Sequence, residues 1–317
     1  MIWWKSMSLS LDLIRRLEAN VSRALVGKPE AVRLAVVGLL ARGHILIEDV
    51  PGVGKTTLAA ALARSIGAGF QRIQFTSDML PSDVIGVSIW EPTKSEFVFK
   101  PGPLFTNIVL ADEINRTTPK TQSSLLEAMN EAQVSLDHST YPLPQPFMVL
   151  ATQNPREHEG TYPLPESQLD RFLLRIRIGY PGALDEKAVL RGAGSPGLET
   201  LVPVLDGREV LALQEEAEGV RAEESVLDYL MALVEATRVS PLLSLGVSPR
   251  GSLALLRTAR AHALIDGRDY LVPDDVKRLA VAALAHRVLL KGRTAQGSGM
   301  DGEAILRSIV QDVPVPR

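Results

Sequence analysis

The sequence predicts an α/β protein built on a doubly wound parallel sheet and completed by a helical C-terminal part. Three short apolar runs, at 45–47, 108–111 and 147–151, have the length of buried strands, and polar residues follow each run. The stretches between them show helical spacing of apolar residues, the alternation expected of a parallel sheet covered by helices. After one further predicted strand, which ends near residue 178, the remaining sequence shows only helical patterns. We therefore predict one domain over residues 1–180 and a second over residues 181–317.

The first apolar run leads directly into a tight glycine turn and the start of a helix. Strong helix formers follow the turn, so the helix opens at Lys55 and Thr56. The free N–H groups of a helix N-terminus favour an anion, and Gly54 lets the backbone approach it closely. Lys55 adds a positive charge, and the Thr56 hydroxyl suits Mg²⁺ that bridges two phosphates. The predicted phosphate loop consists of Pro51, Gly52, Val53, Gly54, Lys55, Thr56 and Thr57.

Asp49 departs from the strict phosphate-loop pattern, which has glycine five positions before Gly54. Aspartate tolerates unusual backbone angles better than most residues, so the turn can survive. Its charge and that of Glu48 must then point away from the phosphates or be paired. The alternative interpretation of the whole stretch is a structural glycine turn with a surface lysine.

Two adjacent carboxylates, Asp112 and Glu113, end the second apolar run. Near the end of a strand they can do different work: Asp112 can hold Mg²⁺ through water, and Glu113 can deprotonate an attacking water. Asn154 follows the third run. Ligands bind at the carboxyl ends of parallel strands, so its amide belongs beside the phosphates, although an isolated asparagine is more often a turn former. The carboxylate pair alone is weak evidence, but together with the phosphate loop it predicts phosphoryl transfer.

Two amphipathic helices are predicted before the first strand. Apolar residues recur every three or four positions between Ser8 and Leu25, and a second helix of this kind follows Pro29. Both helices would cover the sheet. Val26 and Gly27 lie between them, where they could also contact the base of a bound nucleotide.

Two stretches interrupt the alternation of strands and helices. Residues 76–102 are rich in Pro, Gly and Ser, and Phe97–Phe99 could form one arm of a hairpin. A loop of this length in a compact domain is usually an insertion with a function, and a surface excursion is the alternative. Val134–Phe147, with its three prolines, looks like another hairpin.

The composition excludes several classes of function. The chain has no cysteine, which excludes disulfides, thiolate metal sites and cysteine nucleophiles. Its five histidines are scattered, and His158-Glu159 lacks the second histidine of a zinc helix. The net charge of −3 gives no sign of a basic face for nucleic acid. The apolar N-terminal stretch is too short for a signal peptide or a membrane span, so we expect a cytoplasmic protein.

The chain resembles a known family, the MoxR family of AAA+ ATPases, and the resemblance covers nearly its whole length. The resemblance is carried by Glu48–Thr57, Leu110–Arg116, Ala151–Pro155, Thr161–Arg171 with Phe172, and Ser248-Pro249-Arg250. Asp49 in place of glycine is similar to a variant common in this family. The resemblance implies a doubly wound core with an all-helical lid domain, a homo-oligomeric ring of about six subunits, and nucleotide bound between neighbours.

The resemblance also implies ATP and Mg²⁺ as cofactors and gives a role to each matching residue. Lys55 and Thr56 correspond to the ligands of phosphate and Mg²⁺. Asp112 corresponds to the carboxylate that holds the metal, Glu113 to the catalytic carboxylate, and Asn154 to the first sensor of the nucleotide.

Two arginines complete the implied site. Arg171 corresponds to the finger offered to the neighbouring subunit, and Arg250 to the second sensor, supplied by the lid. Arg171 could instead pair with Asp170 or Glu166 on its own helix, a weak surface interaction. Arg250 starts a predicted helix, where a cation opposes the helix dipole, so a function is the better interpretation.

The expected function is an ATP-driven ring motor that remodels protein clients as a chaperone does. The resemblance implies partners that carry von Willebrand A domains, and it implies that both hairpins face the central pore. One alternative is a nucleic-acid motor such as a helicase-like ring, which the acidic balance and the lack of interleaved aromatic and basic residues disfavour. Another is a nucleotide-dependent scaffold without useful turnover, which the intact Glu113 disfavours.

Overall fold

The computed structural model of the chain describes residues 2–93, 95–136, 139–154, 160–190, 197–291 and 302–316. Pro155, which belongs to one of the matching motifs, and the pair His158 and Glu159 fall outside these ranges. None of the helices within the described ranges is both long and apolar enough to cross a membrane.

Two helices precede the sheet, α1 (Ile2–Ala24) and α2 (Pro29–Leu40). The first begins before Ser8, where the apolar periodicity predicted its start, because residues 2–7 contain no proline or glycine that would interrupt a helix. Both helices bury apolar side chains in the same cluster as the first strand of the sheet. They therefore cover the sheet, as the sequence predicted.

A five-stranded parallel sheet lies at the centre of the N-terminal part of the chain. The elements that follow α2 are, in chain order, β1 (Ile45–Glu48), α3 (Lys55–Ser65), β2 (Phe70–Gln74), α4 (Pro81–Ile85), β3 (Gly86–Glu91), β4 (Glu96–Pro101), β5 (Ile108–Asp112), α5 (Pro119–Glu131), β6 (Gln133–Leu136), β7 (Ser139–Pro142), β8 (Met148–Gln153), α6 (Glu166–Leu169) and β9 (Leu174–Ile176). The sheet has the strand order β2-β5-β8-β1-β9, and all of its pairs are parallel. The carboxyl ends of β1, β5 and β8 therefore meet at one edge.

The sheet separates two hydrophobic cores. Ile45 and Ile47 of β1 pack in the cluster that contains α1, α2 and α3, whereas Leu46 packs in the cluster that contains α5. Successive side chains of a strand point to opposite faces, so a strand covered on both sides must be apolar at every position. This requirement explains why the central strands read as continuous apolar runs.

Each of the two insertions contains an antiparallel hairpin outside the main sheet. β3 pairs with β4 so that Trp90 lies opposite Phe97, and β6 pairs with β7. The rings of Phe99 and Tyr141 stack with their centroids 4.0 Å apart. The two hairpins are therefore in direct contact with each other.

The C-terminal part of the chain is mostly helical. Its elements are α7 (Ala183–Leu190), α8 (Gly207–Glu218), α9 (Glu224–Val239), β10 (Leu243–Leu245), α10 (Pro249–Ile265), α11 (Pro273–Leu284), β11 (Leu289–Leu290) and α12 (Gly302–Asp312). The antiparallel pair β10–β11 corrects the prediction of an all-helical lid domain. Strands of two or three residues are too short for apolar alternation to reveal them. The predicted domain boundary near residue 181 stays a prediction.

Candidate nucleotide-binding site

The phosphate loop joins the end of β1 to the start of α3, which begins at Lys55. Gly52 and Gly54 have φ angles of 84° and 99°, which residues with a side chain rarely adopt. A Cβ atom on Gly54 would also lie 2.7 Å from Leu25 Cδ1 of the segment after α1. Glycine is therefore required at this position both by the backbone angle and by the space available.

Asp49 points away from the loop and is fully engaged. Its Oδ2 atom accepts hydrogen bonds from the backbone N–H groups of Ile178, at 2.8 Å, and Gly179, at 2.6 Å. The neighbouring Glu48 forms an ion pair with Arg175 of β9, with 3.1 Å between Oε2 and Nη1. The charge of Glu48 is paired and that of Asp49 is turned away and hydrogen-bonded, which meets the condition that the phosphate-loop interpretation imposed. They also tie the beginning of the loop to β9 and the segment after it.

Lys55 reaches back across the loop, where its Nζ atom donates a hydrogen bond of 2.6 Å to the backbone carbonyl of Asp49. Thr56 and Thr57 follow it in the first turn of α3 and are half-buried. A cavity of about 380 Å³ opens beside them. It is lined by Pro51, Gly52, Gly54, Lys55, Thr56, Thr57, Arg72, Gln74, Asp112, Glu113 and Asn154. The structure thus brings most of the residues singled out in the sequence to one cavity.

Asp112, the last residue of β5, is held from two sides. Its Oδ1 atom accepts a hydrogen bond of 2.6 Å from the hydroxyl of Thr152 on β8. Its Oδ2 atom accepts bonds of 2.6 and 3.1 Å from the guanidinium of Arg72 on β2. A carboxylate with these partners is fixed in orientation before any ligand arrives.

Glu113 adopts a left-handed backbone conformation with φ of 57°. Such a conformation is costly for a residue with a side chain and is concentrated at functional sites. Its Oε2 atom accepts a hydrogen bond of 2.9 Å from Gln74 of β2 and lies 2.9 Å from Arg116 Nε. Its backbone N–H donates to the Thr152 hydroxyl over 3.0 Å. The side chain is thereby turned toward the same cavity as Asp112.

Asn154 ends the described part of the segment after β8, and it lines two adjoining cavities. One is the phosphate-loop cavity, and the other, of about 420 Å³, lies between β8, β9 and the C-terminal part of the chain. The side chain therefore stands between the loop and the lid, which is a suitable position for a group that senses a nucleotide.

Val26 and Gly27 lie in the turn between α1 and α2, beside the phosphate loop but not in the lining of its cavity. Gly27 has a φ of 74°, and a Cβ atom there would lie 2.2 Å from Asp185 Oδ2 of α7. This close approach explains the glycine by packing. The contact with a nucleotide base that we predicted for Val26 and Gly27 stays a prediction.

Arg171 and Arg250 lie far from the phosphate loop of their own chain. Leu174 of β9 is in parallel register with Ile45 at the start of β1, so Arg171, which precedes β9, lies where the strands begin. The phosphate loop follows the other end of β1, which is about 10 Å away over the length of the strand alone. The two arginines line one cavity together, and Arg171 Nη1 donates to the carbonyl of Leu126 over 2.9 Å. They therefore form a second group, at the end of the sheet where the strands begin, opposite the phosphate loop.

Sequence reasoning did not find Arg72, Gln74 and Thr152. Arg72 and Gln74 face the two carboxylates only because β2 lies next to β5, and no local pattern reveals the strand order. Thr152 directly follows the third apolar run and is fully buried in β8, so sequence reasoning assigned it no role beyond that of a strand residue. The signal that could have indicated Arg72 and Gln74 is their spacing, since polar residues two apart on a strand share one face.

One acidic and histidine cluster elsewhere has a structural explanation. His262, Asp266 and Asp275 have ligand atoms within 4.8 Å of one another. Arg268, however, donates to both oxygens of Asp275, at 2.7 and 2.6 Å. Burial alone would raise the pKa of Asp275, but hydrogen bonds from Arg268 and His262 outweigh it and lower the pKa to about 2. Both oxygens of Asp275 therefore belong to a structural ion pair with Arg268.

The comparisons with known proteins agree with this geometry. Residues 44–174 match the model of the ATPase family associated with various cellular activities (AAA), and residues 235–309 match that of the AAA lid domain. Protein YeaC of Bacillus subtilis, itself uncharacterised, is 52% identical over 96% of this chain and 95% of its own length. Chaperone MoxR1 of Mycobacterium tuberculosis is 39% identical over 99% of this chain and 85% of its own.

Two further relatives extend the comparison. Protein MoxR of Methylorubrum extorquens is 32% identical over 96% of each chain. The crystal structure of a proposed ATPase from Cytophaga hutchinsonii, 37% identical, superposes with a TM-score of 0.90 and covers 99% of this chain and 98% of that one. Because the sequence matches and the shared architecture agree, we conclude that the chain belongs to the MoxR family of AAA+ ATPases.

Proposed function

We propose that this chain binds ATP with Mg²⁺ and hydrolyses it. The observation that carries the proposal is that Lys55, Thr56, Asp112 and Glu113 line one cavity at the N-terminus of α3. A lysine and free helix N–H groups are suited to phosphates, and hydroxyl and carboxylate oxygens are the ligands that Mg²⁺ prefers. The donor set therefore fits both groups.

The residues of the cavity divide the work. Lys55 would neutralise phosphate charge, while Thr56 and Asp112 would hold Mg²⁺, directly or through water. The metal, when bound, stabilises charge that develops on the phosphoryl oxygens. Glu113 would accept the proton of the attacking water, and Asn154 would help to position that water. Gln74, Arg116 and Thr152 already hold Glu113 at the cavity.

We also propose that the active sites are completed between subunits of a closed ring of about six copies. The position of Arg171 and Arg250 supports this arrangement, because they lie at the edge of the sheet opposite their own phosphate loop. A head-to-tail contact would bring this edge of one subunit to the nucleotide of the next. Arg171 would stabilise the charge of the transition state there, and Arg250 would act on the same neighbouring site.

The work of the ring would be the remodelling of protein complexes in the cytoplasm, together with von Willebrand A domain partners. The β3–β4 hairpin supports contact with a protein client, since Phe97 is 70% exposed and packs edge-on against the half-exposed Trp90. Exposed aromatic groups of this kind suit the apolar side chains of a protein client. The mycobacterial relative is named as a chaperone, which favours the same role.

The decisive experiment measures phosphate release by the purified protein with and without Mg²⁺, for the parent, Glu113→Gln and the control Glu235→Gln. Glu235 is an exposed acid of α9, so its change should leave the rate intact. Glu113→Gln should bind ATP and assemble yet hydrolyse it slowly, because an amide cannot take a proton. Turnover near the parent's rate would remove Glu113 from the role of base. Stimulation of the parent by single-stranded DNA or RNA would favour the nucleic-acid motor instead.

A further inference from the structure

Arg287 follows α11 and is one of the most deeply buried charged groups in the described part of the chain. Its side chain is only 2% exposed. Burial lowers the pKa of its guanidinium to about 10, although the charge of Asp170 acts in the opposite direction. A buried cation is costly unless it is paired and hydrogen-bonded, so the identity of its partners indicates its role.

Those partners are the two residues on either side of Arg171. Arg287 Nη1 lies 3.2 Å from Asp170 Oδ1, and Nη2 donates a hydrogen bond of 2.5 Å to the backbone carbonyl of Phe172. The adjacent His286 places its Nε2 atom 2.9 Å from the same carbonyl. One guanidinium thus holds both neighbours of Arg171 at once.

A second element of the lid holds the same segment. The hydroxyl of Ser248 lies 3.2 Å from each carboxylate oxygen of Asp170 and accepts a hydrogen bond from the backbone N–H of Gly251. Ser248 is therefore the N-cap of α10, the helix whose second residue is Arg250. Arg250 Nη1 lies 3.9 Å from Asp170. Asp170 consequently pairs with the lid, and not with Arg171 as the local alternative in the sequence would have it.

The segment that carries Arg171 has little rigidity of its own. The α6 helix has four residues, which is shorter than a helix that is stable by itself. Arg171 continues it by a single turn, with its N–H bonded to the carbonyl of Gln168 over 3.1 Å. Among the described residues, the Arg171 side chain makes one hydrogen bond, from Nη1 to the carbonyl of Leu126 in α5. The place of its guanidinium then depends on what holds Asp170 and Phe172.

We propose that Arg287 is a positioning residue that fixes Arg171 from the lid, so that the lid of one subunit sets the hydrolysis rate at the site of its neighbour. The proposal rests on the proposed role of Arg171 as a finger in the next subunit's site. Movement of the lid would shift Asp170 and Phe172, and Arg171 would follow them. A displacement of about 1 Å in a group that stabilises a transition state can cost about 100-fold in rate.

The test is complementation in mixed rings of variants. Arg287→Met should lower the hydrolysis rate about 100-fold while binding of a fluorescent ATP analogue stays within about twofold, because its own phosphate loop is intact. Mixed with Glu113→Gln, it should regain activity, since some interfaces then join an intact Glu113 to an intact Arg171. Mixed with Arg171→Ala, it should regain none, since both variants damage the same side of the interface. Labelled subunits establish that exchange occurs.

Matched variants separate positioning from damage to the fold. Arg278→Met, on the exposed face of α11, should behave as the parent in every assay. Arg287→Lys keeps a charge for Asp170 but not the fork that also reaches Phe172, so its loss should be smaller, about tenfold. Asp170→Asn removes the ion pair from the other end with little change in volume. It should fall in the same complementation group as Arg287→Met.

The outcomes distinguish the two levels of the proposal. Recovery of Arg287→Met with Arg171→Ala would show that Arg287 serves its own site and would overturn the inference. If mixing Arg287→Met with either partner restores no ATPase activity, the same mixing experiment with Asp170→Asn tests the inference. Failure of Asp170→Asn to regain activity with Glu113→Gln would then overturn the inference as well. If Glu113→Gln and Arg171→Ala themselves fail to complement despite exchange, the shared active site is wrong, whatever Arg287 does.

Discussion

The hydroxyl of Thr152 donates a hydrogen bond of 2.6 Å to Asp112 Oδ1. The hydroxyl oxygen of Thr152 in turn accepts a hydrogen bond from the backbone N–H of Glu113, so one side chain on β8 sets the relative positions of the two carboxylates of the candidate site. Thr152 is fully buried and does not itself line the cavity. The geometry of the two acids therefore depends on a residue behind them.

Thr152→Val should test this dependence, because it keeps the shape of the side chain and removes only the hydroxyl. We expect ATP hydrolysis to fall by about 10- to 100-fold with little change in ATP affinity, and the free energy of unfolding to fall by about 1–3 kcal/mol. Thr258→Val is the matched control, a fully buried threonine of α10 that bonds only to its own helix. Equal rates in the two variants would contradict the role assigned to Thr152.

Asp49→Gly would bring the loop to the strict phosphate-loop pattern, yet we expect it to lower the stability of the fold and the affinity for ATP. The change leaves the N–H groups of Ile178 and Gly179 without their acceptor, which costs about 1–3 kcal/mol, and it frees the loop from the segment after β9. Chemical denaturation and titration with a fluorescent ATP analogue measure both effects. Asp49→Asn retains an acceptor oxygen and should lose less. Tighter ATP binding by the glycine variant would refute this view of Asp49.

Lys55→Ala should lose about 10- to 100-fold in ATP affinity, because the phosphate charge would be left with backbone donors alone and a hydrogen bond to a charged group contributes about 1.5–3 kcal/mol. Lys291→Ala, which changes an exposed lysine of the lid, is the control. Titration of both variants with the same fluorescent nucleotide gives the comparison. Unchanged affinity in Lys55→Ala would speak for the structural glycine turn.

Asp275 should make the stability of the lid depend on pH. Its pKa is lowered from 3.8 to about 2 in the folded protein, so the carboxylate stabilises the fold above about pH 4 and this contribution is lost as the pH falls toward 2. The free energy of unfolding of Asp275→Asn should therefore be about 2 kcal/mol lower than that of the parent near neutral pH, and the difference should shrink in acid. Urea denaturation at several pH values measures it.

The control for this pH dependence is Asp269→Asn, since the pair of Asp269 with Arg221 is mostly exposed. An exposed pair contributes little, so this variant should follow the parent at every pH. A difference for Asp275→Asn that stays constant between neutral pH and acid would mean that the carboxylate contributes by packing and not by charge.

Local signals in the sequence predicted the parts of the site that local chemistry determines. Glycines followed by helix formers were enough to place the start of α3 at Lys55, and an apolar run followed by two acids was enough to place Asp112 and Glu113 at a strand end. The partners of these residues were not predictable in the same way. Thr152 reaches Asp112 across neighbouring strands, and such pairings depend on a strand order that no local pattern encodes.

Contacts between the core and the lid were the least predictable. Arg287 lies far along the chain from Asp170, in a segment whose pattern indicates only the end of a helix, and a buried arginine cannot be told from an exposed one by its neighbours in the sequence. The pair β10–β11 beside it was missed because its strands are too short to alternate. Both features arise from tertiary packing.

The stacked rings of Phe99 and Tyr141 join the β3–β4 hairpin to the β6–β7 hairpin. Two chain segments that share an aromatic contact are not independent modules, and a chimera that takes one of them from a relative removes half of the contact. Transplanting either hairpin without its counterpart should leave the other hairpin with an exposed ring and a changed orientation. Exchange of client specificity between relatives, if it resides in these insertions, would then require that both be moved together.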